Sequence, residues 1–199
     1  MATIDKENLE WVAEQCPKRN VGFVDCPVTG GPARVEAGTL TLIAAAPTDV
    51  LEACRTVLEV QGQIMYAGEK PGLGQAVKHC NQLLVGTTLA ATAEVITLAK
   101  KSGLDPRLVC QVVGNGICGS EYFRLLASSM LDNTPSPGGL GQMCKDMGLV
   151  INDSRRVQAP LIVANAASQY FLAALSLGIQ NADSSDLIKV LEKITNPDV

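Results

Sequence analysis

Aromatic residues are scarce in this chain, at 4% of its 199 positions, whereas hydrophobic residues of all types make up 47%. A core of useful size is therefore possible, but Leu, Val, Ile and Ala must build it. The length suits one ordinary domain or one and a half. Most of the few aromatics stand in two pairs, which we expect in the core or at an interface rather than around a cofactor: Tyr122, Phe123, Tyr170 and Phe171.

Blocks of basic residues are also missing. The 16 Lys and Arg residues are scattered among 20 Asp and Glu residues, and the formal net charge is −4. Without a basic patch or interleaved aromatics, neither nucleic acid nor a membrane surface is an expected partner. The most apolar run, at 83–99, contains Glu94 and several threonines, so it predicts a buried helix rather than a membrane span.

The 7 cysteines include no CxxC pair, and their number is odd. This pattern is typical of reduced thiols in a cytoplasmic protein, several of them serving as small core residues. Because no paired metal-ligand spacing appears, no structural zinc site is expected. Residues 1–15 are charged and amphipathic, which does not fit a signal peptide. We therefore expect a cytoplasmic location.

Hydrophobic periodicity changes near residue 70. The first part, 1–70, predicts an α/β layer, with helices at 5–16 and 47–60 and strands at 22–28, 39–46 and 64–67. The second part, 71–199, predicts only helices, at 72–101, 106–113, 119–131, 140–157, 160–177 and 185–194, with a loop at 133–139. The expected fold is an α/β part followed by an all-α domain, mainly α overall.

Two of the predicted helix starts share a short sequence. GLGQAVK at 72–78 returns as GLGQMCK at 139–145, with lysine at the same offset. Glycines let the backbone bend tightly and leave N–H groups available at a helix start, where anions are attracted. We interpret the echo as shared local chemistry rather than as an internal duplication.

Three ordered motifs resemble the β-hydroxyacid dehydrogenases, the family of 3-hydroxyisobutyrate and 6-phosphogluconate dehydrogenases. They are DCPVTGG at 25–31, GLGQAVKHCNQ at 72–82 and KDMGLV at 145–150, and ATI at 2–4 is similar to the family's STI. The resemblance covers nearly all of the chain. It implies a Rossmann-type domain, here reduced to a remnant, joined by a long helix to an all-helical domain.

The resemblance also implies site residues. Thr29, Gly30 and Gly31 match the serine-glycine-glycine turn that binds the substrate carboxylate, although a plain strand-ending turn is the alternative. Lys78 matches the family's catalytic lysine. Burial disfavours the charged form of a lysine, so such a group can exchange protons near neutral pH. The alternative for Lys78 is a packed stem with its charged head in water.

Gln82 stands where the family has asparagine, and Asn81 precedes it. Gln82 follows Lys78 by about one helical turn and therefore faces the same way. We count both amides as candidate substrate ligands. His79 points about 100° away, so we expect it to pack or to be partly exposed rather than to be catalytic.

Lys145 and Asp146 match the family's KD pair, which lies near the nicotinamide end of the cleft, and complete the candidate substrate ligands. An ordinary surface ion-pair region is the alternative. Asp153 and the acids of 183–186 are expected to be helix caps or solvated charges.

A glycine-rich dinucleotide motif is missing near the start of the chain. GNGICG at 114–119 fits the expression GxGxxG, but it follows a predicted helix rather than a strand, so we expect a loop between helices. The resemblance then implies that the first strands and the phosphate turn of the family are missing here. We accordingly expect no cofactor, with NAD or NADP as the alternative.

Without a dinucleotide, Lys78 can move a proton but cannot supply a hydride. The main hypothesis is therefore a repurposed enzyme that isomerises, decarboxylates, eliminates from or cyclises a carbonyl- or carboxylate-bearing small molecule. One alternative is an NAD(P)-dependent 3-hydroxyacid dehydrogenase fragment, and another is a non-catalytic binding or dimerisation module. An uncovered sheet edge, together with the association known for the family, predicts a homo-oligomer such as a homodimer.

Overall fold

A computed structural model describes residues 1–195 of the chain. Packing groups them into two compact units. The first contains Met1–Gln82 and Asn152–Ala159, and the second contains Leu83–Ile151 and the chain from Pro160 onward. The division into 1–70 and 71–199 that the sequence favours stays a prediction.

The first unit is built on a small mixed sheet. Its elements are α1 (Lys6–Gln15), a 3-10 turn (Pro17–Arg19), β1 (Val28–Thr29), α2 (Gly31–Glu36), β2 (Leu40–Ala45), α3 (Thr48–Glu59), β3 (Gly62–Gly68) and the first residues of α4 (Leu73–Lys101). The strand order is β1-β2-β3, with β1 antiparallel and β3 parallel to β2. Helix α3 forms the crossover that a parallel pair needs.

The central strand carries the core of the first unit. Leu42, Ala44 and Ala45 are completely buried, as in a strand that is covered on both faces. Next to it, Gly62 has φ +151°, and a Cβ there would lie 2.0 Å from the Leu40 carbonyl oxygen. Only glycine therefore allows β3 to start this close to β2.

The strand predicted at 22–28 is shorter than expected. Asp25 forms an isolated bridge with Ala45, and regular pairing is confined to β1. Within residues 1–195, no strand pairs with Gly22–Val24, and an extended segment becomes a strand only where a partner is present. The sequence also missed α2, whose first turn contains a proline.

The second unit is helical, as predicted. It contains the rest of α4, then α5 (Pro106–Asn115), α6 (Glu121–Asp132), α7 (Leu140–Arg156, up to Ile151), α8 (Ile162–Ser176), a 3-10 turn (Ser184–Asp186) and α9 (Leu187–Thr195). Asp105 caps α5 by accepting from the Arg107 N–H, and a proline opens the helix. Phe123 and Phe171 are buried in the core, which confirms their expected place.

Gly114 and Asn115 of GNGICG are the last residues of α5, and the rest of the segment links α5 to α6, so the predicted loop between helices is present but shorter than expected. The Arg124 side chain donates to the Gly114 carbonyl oxygen over 2.9 Å, which satisfies an acceptor near the end of α5. The segment has no preceding strand and therefore no dinucleotide geometry.

Helix α4 is long and apolar enough, by length and composition alone, to cross a membrane, with a mean hydropathy of 1.4 over its most apolar window. Core helices of globular proteins pass the same test. Leu89, Ala93 and Ile96 are completely buried among the second unit's other helices, which is the environment of a core helix.

Candidate functional site

The start of α4 binds a carboxylate of the chain itself. Asp25 is 2% exposed, and its Oδ2 accepts from the Gly72 N–H over 2.9 Å and from the Gln75 N–H over 3.1 Å. These are N–H groups that a helix start leaves without partners inside the helix. An internal anion therefore replaces the external one that we expected at this position.

Gln75 extends this arrangement to the first residues of the chain. Its Nε2 donates to Asp25 Oδ1 over 3.2 Å and to the Ala2 carbonyl oxygen over 3.0 Å, while its Oε1 accepts from the Ile4 N–H over 3.2 Å. Gln75 is 2% exposed. The buried amide thus connects α4, Asp25 and the partly exposed ATI segment in one hydrogen-bond network.

Lys78 lies in the second turn of α4, and it is 9% exposed. This burial does not fit the alternative in which its head reaches water. Gln82 is also buried, one helical turn later, and Asn81 donates to its Oε1 over 2.9 Å. The expectation that Lys78 and Gln82 face the same way holds, and both are buried, whereas their roles toward a substrate stay predictions.

The Thr29-Gly30-Gly31 turn leads from β1 into α2. Gly30 has φ +141° and Gly31 has φ +74°, and both are exposed. A Cβ on Gly30 would lie 2.8 Å from Arg34 Cδ and 3.1 Å from Leu40 Cδ2, so this conformation needs glycine. The exposed Arg34 beside the turn is a cation that the sequence analysis missed, although it stands only three residues after the motif.

His79 forms a buried pair that the sequence did not indicate. Its Nδ1 lies 3.2 Å from Asp153 Oδ2, and the two side chains are 5% and 15% exposed. Within residues 1–195, His79 Nε2 and Asp153 Oδ1 have no hydrogen-bond partner. The expectation that Asp153 is a cap or a solvated charge is therefore wrong, because it lies inside α7 and faces the only histidine of the chain.

Lys145 and Asp146 belong to the second unit. Asp146 is 2% exposed, and its Oδ1 lies 3.0 Å from Lys145 Nζ and accepts from Gln142 Nε2 over 2.9 Å. The Lys145 side chain is 46% exposed. The ion pair therefore joins a partly exposed lysine to a buried aspartate, and its role toward a substrate stays a prediction.

The start of α7 also has internal partners. The Leu140 N–H donates to the Ala182 carbonyl oxygen over 3.0 Å, and the Gly141 N–H donates to the Gln180 carbonyl oxygen over 2.9 Å. The expected attraction of an anion at this second start is wrong for the same physical reason as at the first, since acceptors of the chain occupy the N–H groups.

All 7 cysteines are free thiols. Burial raises the pKa of the Cys26 and Cys110 thiols, which suits the small core residues expected from the sequence. Residues 1–195 contain no group of three or more His, Cys, Asp or Glu side chains that could hold a metal ion.

Two family models match this chain. The model for the NAD-binding region of NADP-dependent 3-hydroxyisobutyrate dehydrogenase matches residues 72–191, and that for the NAD-binding domain of 6-phosphogluconate dehydrogenase matches residues 1–68. The chain belongs to the β-hydroxyacid dehydrogenase family. Family membership confirms the resemblance drawn from DCPVTGG, GLGQAVKHCNQ and KDMGLV.

Individual relatives agree with this assignment. The chain is 30% identical to 2-(hydroxymethyl)glutarate dehydrogenase of Eubacterium barkeri over 100% of its own length and 67% of that protein. It is 31% identical to L-threonate dehydrogenase of Pectobacterium atrosepticum over 99% of its own length and 66% of that protein. The chain therefore spans about two thirds of the length of the curated relatives that it matches.

Solved structures confirm the fold. A 3-hydroxyisobutyrate dehydrogenase from Salmonella typhimurium superposes with a TM-score of 0.86 at 27% identity, covering 94% of this chain and 67% of that one. Psf3 in complex with NADP+ and 2-OPP superposes with a TM-score of 0.81 at 26% identity, covering 95% and 66%. The expected α/β remnant followed by helices, mainly α, is thereby confirmed.

Two expectations are wrong. Relatives with curated names are dehydrogenases, so the main hypothesis of isomerase, lyase or cyclase chemistry is replaced by its dehydrogenase alternative. Both family models describe NAD binding, and Psf3 was solved with NADP+, so the expectation of no cofactor is also overturned for the family. One missing glycine motif does not outweigh the three family motifs that are present.

Residues 1–195 do not fit the diphosphate of such a cofactor. The parallel unit β2–α3–β3 has Pro47 at its strand–helix turn and Asp49 in the first turn of α3. Proline has no N–H to donate and aspartate repels phosphate, so this turn does not fit a diphosphate. GNGICG, between two helices, does not fit one either. Residues 1–195 therefore lack a glycine-rich cradle for the cofactor's phosphates.

Proposed function

We propose that this chain forms the substrate-binding and proton-transferring part of an NAD(P)-dependent 3-hydroxyacid dehydrogenase. The observation that carries the proposal is the burial of Lys78, at the position of the family's catalytic lysine, on a helix whose start is held by the buried Asp25. A lysine must be neutral to accept a proton, and burial is one of the effects that favour that form in general.

The proposed chemistry divides the work between two groups of the first unit. The Thr29 hydroxyl and the backbone N–H groups of Gly30 and Gly31 bind the substrate carboxylate. The Lys78 amine accepts the proton of the 3-hydroxyl group as that C–O bond becomes a carbonyl, and Gln82 offers an amide to the same oxygen. A bound nicotinamide cofactor would supply the hydride acceptor that this oxidation needs.

The relatives suggest which substrates to try. They are named for 2-(hydroxymethyl)glutarate, L-threonate and 3-hydroxyisobutyrate, which are all small hydroxy acids. An exposed carboxylate-binding turn with Arg34 beside it supports an anionic substrate of this class.

The test follows cofactor reduction at high concentrations of NAD+ or NADP+ with each of the three hydroxy acids. We expect turnover by the unmodified protein and a fall in kcat of about 10²–10⁴-fold in Lys78→Ala. Lys18→Ala, which changes an exposed lysine of the same unit, should leave kcat unchanged. Absence of turnover with all three acids, or full activity in Lys78→Ala, would contradict the proposal.

We also propose that the protein is a cytoplasmic homo-oligomer. Leu108 and Val112 are 57% and 65% exposed and stand four residues apart on α5, and Ile117 follows with its side chain fully exposed. These apolar side chains support association. Light scattering that gives the mass of one 20.9 kDa chain would contradict it.

A further inference from the structure

We propose that Asp25 is a positioning residue for the reaction. Its carboxylate joins the segment that carries the Thr29–Gly31 turn to the helix that carries Lys78, and so sets the separation between the carboxylate-binding turn and the amine. This inference rests on the proposed dehydrogenase function. It adds a residue that touches neither the substrate nor the cofactor.

Both oxygens of the Asp25 carboxylate accept hydrogen bonds. Oδ2 accepts from the backbone N–H groups of Gly72 and Gln75, and Oδ1 accepts from the Gln75 side chain, at 2.9, 3.1 and 3.2 Å. Buried hydrogen bonds to a charged group are among the strongest in proteins. Three donors from one helix turn therefore fix the orientation of α4 about this carboxylate.

Asp25 is itself fixed to the sheet. Its N–H donates to the Ala45 carbonyl oxygen over 3.0 Å, and its carbonyl oxygen accepts from the Ala45 N–H over 2.7 Å. Four residues later, Thr29 pairs with Thr41 on the same strand β2. The segment from Asp25 to the turn is thus tied to β2 at both ends, and little freedom remains between the carboxylate and the Gly30-Gly31 backbone.

The connection from the Asp25 carboxylate to Lys78 is also short. Gln75 precedes Lys78 by three residues within a continuous α-helix, so any rotation or shift at the helix start is transmitted to the lysine. The space around Gly74 shows how closely the start of α4 approaches the sheet. A Cβ there would lie 2.7 Å from the Ile43 carbonyl oxygen and 2.9 Å from Asp25 Oδ2, so the helix start lies directly against the sheet.

A charge at this place does more than fill space. An apolar residue could also pack between α4 and β2, and a buried carboxylate without donors is costly. A carboxylate with three directional donors has one good geometry, whereas apolar packing tolerates small shifts. Displacements of about 1 Å in a catalytic group can reduce rates about 100-fold, so this directionality matters to a proton transfer.

The test compares Asp25→Asn with Asp183→Asn in the same assay. Asparagine keeps the shape of Asp25 but replaces one accepting oxygen with a donor that opposes the helix N–H groups. We expect kcat to fall about 10- to 100-fold while KM for the hydroxy acid changes less than about threefold. Asp183 is a hydrogen-bonded cap of the second unit, and its variant should keep both constants within about twofold of the parent, whatever it costs in stability.

A second variant keeps the proposal testable if Asp25→Asn does not fold. Gln75→Met keeps the carboxylate and removes its third donor, and we expect kcat to fall about three- to tenfold. Unchanged kcat in either folded variant, or an equal loss in Asp183→Asn, would show that Asp25 contributes only stability.

Hydrogen exchange separates this inference from the proposed function. In Asp25→Asn, the Gly72 and Gln75 amides should exchange at least about tenfold faster, whereas the Leu140 and Gly141 amides should not change. If the unmodified protein shows no turnover, the dehydrogenase proposal fails, and exchange alone decides whether the carboxylate holds the helix start. Unchanged exchange at Gly72 and Gln75 would overturn the positioning role whatever the activity.

Discussion

The two helix starts that share GLGQ differ in almost every contact that they make. At α4, the Asp25 carboxylate accepts from the Gly72 and Gln75 N–H groups, and the glutamine is buried in a network of three side-chain hydrogen bonds. At α7, backbone carbonyl oxygens of Gln180 and Ala182 accept instead. Gln142 makes one side-chain hydrogen bond, to Asp146 in its own helix.

The lysines at the same offset differ in the same way. Lys78 is 9% exposed, whereas the Lys145 side chain is 46% exposed and pairs with Asp146. The identical sequence GLGQ therefore forms two different helix starts. A carboxylate accepts from the N–H groups at the start of α4, whereas neutral backbone carbonyl groups accept at the start of α7. What a motif does is decided by the distant residues that meet it, and variants at matched positions can measure that difference.

The largest loss of stability is expected at the glutamines. Gln75→Met removes three side-chain hydrogen bonds, one of them buried and two partly buried, and leaves the Ile4 N–H and the Ala2 carbonyl oxygen without that partner, so we expect a loss of about 2–3 kcal/mol in the free energy of unfolding. Gln142→Met removes one bond and should cost about 1 kcal/mol or less. Urea unfolding of the two variants measures both values, and equal losses would show that the two starts are energetically alike.

A smaller loss is expected at the first glycines, where the two variants should differ in sign. Gly72 has φ +94°, so Gly72→Ala forces a side chain into a left-handed conformation at a cost of about 1–2 kcal/mol. At Gly139 a Cβ would have its nearest neighbour at 3.7 Å, and the backbone is not in that region, so Gly139→Ala should gain about 0.4–1 kcal/mol. Thermal unfolding midpoints that move in the same direction for both variants would contradict this contrast.

Local signals explain what the sequence predicted well. The Asp105 cap and Pro106 start of α5, and the span of α4 to Lys101, follow from residues close together in the chain. The turn at Gly30-Gly31 was also recognised, but α2 after it was missed, although Pro32 is a common residue in a first helical turn.

The network at α4 depends on residues far apart in the chain. Asp25 and Gln75 are separated by 50 positions, and no spacing rule connects them. One signal was present, because a carboxylate within the apolar segment GFVDCPV must find donors if it is buried. The pairing of His79 with Asp153 spans 74 positions and carries no such signal, since both residue types are common on helix surfaces.

The smallest effect concerns the acid near the start of α7. Desolvation raises the pKa of Asp183, but hydrogen bonds from Ser185 and Ser136 outweigh it and leave the pKa below its ordinary value. This acid binds the loop before α7 and its own 3-10 turn, whereas Asp25 binds the N–H groups of α4 directly.

A group whose pKa is lowered on folding stabilises the protein at pH values above its unfolded pKa, and that stabilisation is lost as the pH falls through the folded pKa. The advantage of the parent over Asp183→Asn should therefore be constant at neutral pH and should shrink once the pH drops below about 4. Because Asp183 is only partly buried, solvent screening keeps the change below about 1 kcal/mol. Unfolding free energies of both proteins, measured from pH 7 down to pH 3, test this, and an advantage that grows toward acid pH would mean that desolvation rather than hydrogen bonding dominates at Asp183.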